Sequence, residues 1–118
     1  MRYMLLIYLE EQALGEAERQ ECYVESAQLA QEIHARGQFL AAAPLHPTST
    51  ATSIRVRDGK QLVTDGPFAE TREQLGGYFL VDAKNLDEAM GIAVRIPMAR
   101  KGTVEIRPVI EVGGLPTV

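Results

Sequence analysis

One cysteine, Cys22, stands in 118 residues, so no internal disulfide is possible and a reducing compartment suits the chain. Histidine is almost as scarce. His34 and His46 lie twelve positions apart with no HExxH spacing, so a metal site would have to be assembled across the fold. The sequence also lacks GxGxxG, a P-loop, GxSxG and CxxC, which removes the usual nucleotide, acyl-transfer and redox signatures. The expectation is no metal and no cofactor. The longest apolar run, YMLLIYL at 3–9, is far too short to span a bilayer. Only Met1 and Arg2 precede it and no small-residue cleavage site follows, so neither a signal peptide nor a membrane partner is expected, and the location expected is cytoplasmic. Positive charge is in deficit: the net charge of −4 argues against a nucleic-acid partner, which needs clustered Lys and Arg. No period of 20 to 50 residues and no low-complexity tract divides the chain.

What is present reads as one soluble globular domain over 1–118, with 46% hydrophobic and 24% charged residues. RYMLLIYL at 2–9 is apolar on both alternating faces, as in a central strand. A helix is predicted from Glu16 to Arg36, with acids at its N-terminal end and Gly37 as its C-terminal cap. Cys22, Ser26, Leu29, Ala30 and Ile33 share its apolar stripe, with Tyr23, Ala27 and His34 along one edge. QFLAAAPL at 38–45 is extended. SIRVR at 53–57 and QLVT at 61–64 flank Asp58-Gly59, a type I′ hairpin signal. GYFLVDA at 77–83 is a further strand. A second helix begins after Asn85, with Glu88 at capping-box spacing, an apolar face of Leu86, Ala89, Met90, Ala93 and Ile96, and a stop at Pro97. TVEIRPVIEV at 103–112 forms the last strand, with Glu105, Arg107 and Glu111 on one side and Pro108 marking a sheet edge. This order predicts a ferredoxin-like α+β fold, an antiparallel sheet with two helices on one face. The uncovered face is too apolar for water, which predicts a homodimer packed sheet against sheet.

VTDGPFAETREQLGG at 63–77 is too long for a tight turn. Asp65-Gly66-Pro67 reads as a turn stapled by the Asp65 side chain, Phe68 as its anchor on apolar surface, and 70–75 as about one helical turn. The functional reading makes Asp65 and Glu70 ligand-facing acceptors, or Asp65 a general base. Ser26 either bonds back to the Cys22 carbonyl or lines a pocket near Tyr23. Cys22 is expected to be buried and inert.

RYMLLIY, AxPLxPTxTATSIRVRDGK, VTDGPFAETREQLGGYFLVDAKNLDEA and GTVEIRPV together resemble the DGPF-type members of the YCII-related family, over nearly the whole chain. The resemblance implies a dimeric α/β-barrel of ferredoxin-like units, and products of genes lying beside extracytoplasmic-function sigma factors, hence sigma-factor-linked regulation or small-molecule sensing. Some relatives resemble muconolactone-type lyases or dehydrochlorinases and use a His–Asp pair. Here the corresponding positions hold Ser26 and Ile96, which cannot act as base and orienter. The leading expectation is therefore a homodimer that binds a small polar or acidic molecule through Tyr23, Ser26, Arg57, Asp65 and Glu70, without established catalysis. One alternative is a lyase or isomerase acting on a small oxygenated ring, with Asp65 as base and His46 as a further candidate. Another is an interaction module for a sigma factor or other protein, using 63–77 as its surface.

Overall fold

The computed structural model describes residues 1–116. In chain order the elements are β1 (Arg2–Leu9), α1 (Glu16–Ala35), β2 (Phe39–Pro44), β3 (Thr52–Arg57), β4 (Lys60–Asp65), β5 (Gln74–Asp82), α2 (Leu86–Ala93) and β6 (Thr103–Pro108). Short 3₁₀ turns occupy Thr48–Thr50 and Pro97–Arg100. The main sheet is antiparallel with order β2-β5-β1-β6, the ferredoxin-like arrangement, while β3 and β4 pair only with each other.

Local chemistry sets most boundaries. Gly37 (φ +75°) ends α1: its amide donates to the His34 carbonyl at 3.0 Å and the Gln38 amide to the Ile33 carbonyl at 2.8 Å, a Schellman motif. Asn85 caps α2 by accepting from the Glu88 amide at 3.0 Å. The reciprocal half of the expected capping box is displaced by one residue, since the Glu88 carboxylate accepts from the Lys84 amide and also from the Gln38 side chain. Asp58 (φ 52°) and Gly59 (φ 74°) both adopt positive φ, the type I′ geometry that joins β3 to β4.

One face of the main sheet carries both helices. Tyr3, Leu5 and Ile7 from β1 and Phe79 and Val81 from β5 pack there with Leu29, Ile33, Ala89, Ile92 and Ile96. Leu5, Ile33, Val81 and Ile96 lose essentially all solvent contact, each worth about 1.5–3 kcal/mol of transfer free energy. Three ion pairs tie α1 to the α2 end of the chain. Glu18, Glu25 and Glu32, spaced seven apart along α1, meet Lys101, Arg100 and Arg95.

Four sequence expectations are corrected. The last strand stops at Pro108 instead of residue 112, leaving Ile110 and Val112 exposed. Residues 70–75 make no helical turn; β5 already begins at Gln74. On α2 the core-facing set is Ala89, Ile92 and Ala93, and Leu86 and Met90 remain about half exposed. That helix ends at Ala93, before Pro97, which instead opens the following 3₁₀ turn.

The outline is broad and thin. The accessible surface is 8318 Å², whereas a compact monomer of this mass exposes about 6,300 Å². The radius of gyration is 15.9 Å against roughly 13.5 Å for a compact chain of this length. The Cα extents of 46 × 43 × 19 Å fit two layers with a projecting hairpin.

Candidate functional site

The sheet face without helices is laid out in rows by the strand register. Ala43, Tyr78, Leu6 and Glu105 lie side by side, and the next row is Ala41, Leu80, Met4 and Arg107. A third row brings together Leu75, Tyr8 and Thr103. A β-bulge between Ile7 and Tyr8 skips Gly76 and so turns Leu75 to the same side as Tyr8. The face is thus apolar at its centre and polar along the β6 edge. The Tyr8 hydroxyl donates to Glu105 Oε1 at 3.1 Å. Desolvation, and then that hydrogen bond, push the Tyr8 phenol above its ordinary value, while nearby Arg107 pulls the other way.

Gly102 positions this edge. It is the last residue before β6, and a Cβ built on it would lie 2.0 Å from the Tyr8 carbonyl oxygen. Only glycine lets the chain pass so close to β1 and enter the ladder that carries Glu105 and Arg107.

The 63–77 segment is held differently from the expectation. Asp65 closes β4 opposite Thr52, and its side chain makes no hydrogen bond or ion pair among the described residues. Gly66 holds the turn. Its φ is +102°, its amide donates to the Ala51 carbonyl at 2.7 Å, and its own carbonyl accepts from the Ser53 hydroxyl at 2.9 Å. Phe68 is not buried as an anchor. It is 74% exposed, with the Arg55 guanidinium 4.8 Å from its ring centre, a cation–π contact. Farther on, Arg72 pairs with Glu10 and the Thr103 hydroxyl donates to Glu73 at 2.8 Å, which docks the loop beside Tyr8.

The sequence-derived candidates scatter. Arg57 sits at the hairpin tip opposite Lys60 and Asp65 at its base, on opposite faces of the two-stranded ladder and about 17 Å apart along it. Tyr23 is exposed on α1 and Ser26 half-buried on the same helix, so both lie on the helix side of the main sheet. Ser26 makes no side-chain hydrogen bond among the described residues, so the back-bond to Cys22 does not form. Glu70 and His46 are exposed in connecting segments. One chain does not bring these residues together. Sequence reasoning missed Tyr8 as their counterpart, although the two-residue period of β6 already placed Glu105 and Arg107 on one side.

Two shallow depressions lie elsewhere. One of about 310 Å³ between α1 and α2 is lined by Leu29, Val94 and the paired side chains of Glu25, Glu32, Arg95 and Arg100. The other, about 240 Å³, is bounded by Ala30, Gln31, His34 and Phe39, the last two rings meeting edge to face at 6.2 Å. Burial raises the Cys22 thiol above its ordinary value, which disfavours the reactive thiolate. Among the described residues, no three His, Cys, Asp or Glu side chains gather to hold a metal ion. No described helix is long and apolar enough to cross a membrane.

The family model for the YCII-related domain matches residues 1–113. Uncharacterized protein R00369 of Rhizobium meliloti (strain 1021) is 43% identical over 74 residues, a match covering 61% of this chain and 60% of that protein. The chain therefore spans less than two thirds of that relative's length. With the family match running from β1 through β6 and the strand order of a ferredoxin-like sheet, the chain belongs to the YCII-related domain family.

Proposed function

We propose that this chain, a DGPF-type member of its family, works as a cytoplasmic homodimer closed sheet against sheet, and that it binds a small polar or acidic molecule without transforming it. One observation carries the reading. Met4, Leu6, Tyr78 and Leu80 form a continuous apolar patch on the side of the sheet that has no helix, and Tyr8, Glu105 and Arg107 border it. Apolar surface with a few convergent polar groups is the usual make-up of a small-ligand pocket. Packing two such faces together removes the apolar rows from water and leaves the polar edge as a rimmed recess. Arg107 there suits an acidic group, and Tyr8 and Glu105 offer a hydroxyl and an acceptor. Asp65 and Glu70 lie on the segment that runs into Gln74, and supply further acceptors. Ile96, at 1% exposure, is a packing residue in the core, which supports binding over catalysis at the position where the resemblance puts the acid of a His–Asp pair. A sensor coupled to sigma-factor-linked regulation is the physiological setting this reading favours.

Light scattering at micromolar concentration is expected to give twice the chain mass of 13.0 kDa. A clean monomer overturns the dimer. Thermal shift against a panel of small polar and acidic metabolites is expected to give a stabilising hit that grows with ligand excess. Tyr8→Phe and Asp65→Ala are each expected to abolish that hit while the unliganded melting point stays nearly unchanged. A hit that survives both substitutions places the ligand elsewhere.

A further inference from the structure

An isolated two-stranded hairpin is marginally stable in water and needs further strands or a packing partner. Yet β3 and β4 run six residues each and ladder only with one another. Their register sorts the side chains into two unlike faces. Ile54, Val56 and Val63 share one face and are 61%, 60% and 61% exposed. Arg55, Arg57 and Lys60 share the other, and none has a carboxylate partner among the described residues. An apolar face of this kind on a well-formed ladder calls for a cover.

We propose that the β3–β4 hairpin is an exchanged arm: in the homodimer each protomer lays its Ile54, Val56 and Val63 face across the other. The proposal rests on the homodimer reading and adds which segment clasps the partner. Area argues for a second copy as the occupant. The surface this chain exposes beyond a compact monomer, about 2,000 Å², exceeds the roughly 800 Å² that a standard interface takes from each partner, and the projecting hairpin accounts for part of it.

Sedimentation velocity over a dilution series of the full chain compares wild type with the double variant Ile54→Asp/Val63→Asp. The expected result is a dimer dissociation constant raised at least a hundredfold. Amide exchange gives a second readout that does not use the arm variant and is read only where amides of the β1–β5 ladder stay protected. Amides of 54–63 are expected to exchange slowly in the wild-type dimer and rapidly in Leu6→Asp, a sheet-face variant expected to be monomeric. A wild-type dissociation constant in the arm variant overturns the arm and leaves the sheet-to-sheet dimer standing, with a different protein or a lipid surface as the arm's cover. Equal exchange of those amides in dimer and monomer overturns it as well. A wild-type chain that is itself monomeric removes both readings together.

Discussion

Replacing Gly102 by alanine tests how tightly the polar edge of the sheet is held. The added Cβ would sit 2.0 Å from the Tyr8 carbonyl oxygen, 3.1 Å from its carbon and 3.2 Å from the Leu9 Cα. All three atoms are backbone, so no rotamer change relieves the clash, and β1 and β6 must separate by more than an ångström. Overpacking of this kind costs about 1–3 kcal/mol. Moving β6 away from Tyr8 also weakens the first ladder hydrogen bonds, at about 1 kcal/mol each. The sum, about 2–5 kcal/mol, is a large part of the roughly 5–15 kcal/mol that holds a domain together. With an unfolding entropy of about 0.25 kcal/mol/K for a chain of this length, the melting temperature should fall by about 8–20 °C. Circular dichroism melts at fixed protein concentration measure the shift, and amide exchange over 103–107 should show β6 losing protection first. A melting temperature within about 3 °C of wild type would refute the argument that backbone contact, rather than turn propensity, demands glycine here.

Gly91 gives the opposite sign. It lies inside α2 with nothing within 4 Å of a built Cβ, so Gly91→Ala should raise stability by about 0.5–1 kcal/mol in the same melts. The ion pairs along α1 predict an acid dependence. The Lys101 and Arg95 hydrogen bonds hold Glu18 and Glu32 below the ordinary carboxylate value. Their contribution is therefore present above that value and lost as pH falls through the lowered one, below about pH 4. A double variant Glu18→Gln/Glu32→Gln should flatten the low-salt melting profile in that window, and an unchanged profile would show the pairs to be inert. Cys22 should react with a maleimide much more slowly in the folded protein than in urea at pH 7, because burial disfavours its thiolate. Equal rates would contradict its half-buried placement.

The features legible in the sequence are those fixed by local chemistry. Asp58-Gly59 determines the hairpin, Gly37 the end of α1 and Asn85 the start of α2, because each needs only a few neighbouring atoms to satisfy it. Strand ends depend on a distant partner, which local sequence does not identify. The alternation in TVEIRPVIEV continues through Val112, but β6 stops where β1 runs out. Pro108 faces Tyr3, and the last bond of the pair is the Val109 amide to the Arg2 carbonyl. At the other end β5 extends back to Gln74 because Tyr8 and Leu9 are available to pair with Leu75 and Gln74 once the bulge absorbs Gly76. The polar edge was hidden for a related reason. Tyr8 and Glu105 are 97 positions apart, and only the register of β1 against β6 makes them neighbours. Asp65 belongs to a conspicuous tetrapeptide, whereas the positive φ and the hydrogen bonds of the turn belong to Gly66 beside it.

The hairpin shares no ladder with the main sheet, and none of its residues belongs to the buried core. Its sequence is therefore free to drift without disturbing Leu5, Ile33 or Val81. Cells that carry several copies of such a domain face the problem of keeping like with like. A projecting segment that stands outside the buried core offers an address that selection can rewrite while the fold beneath it stays the same.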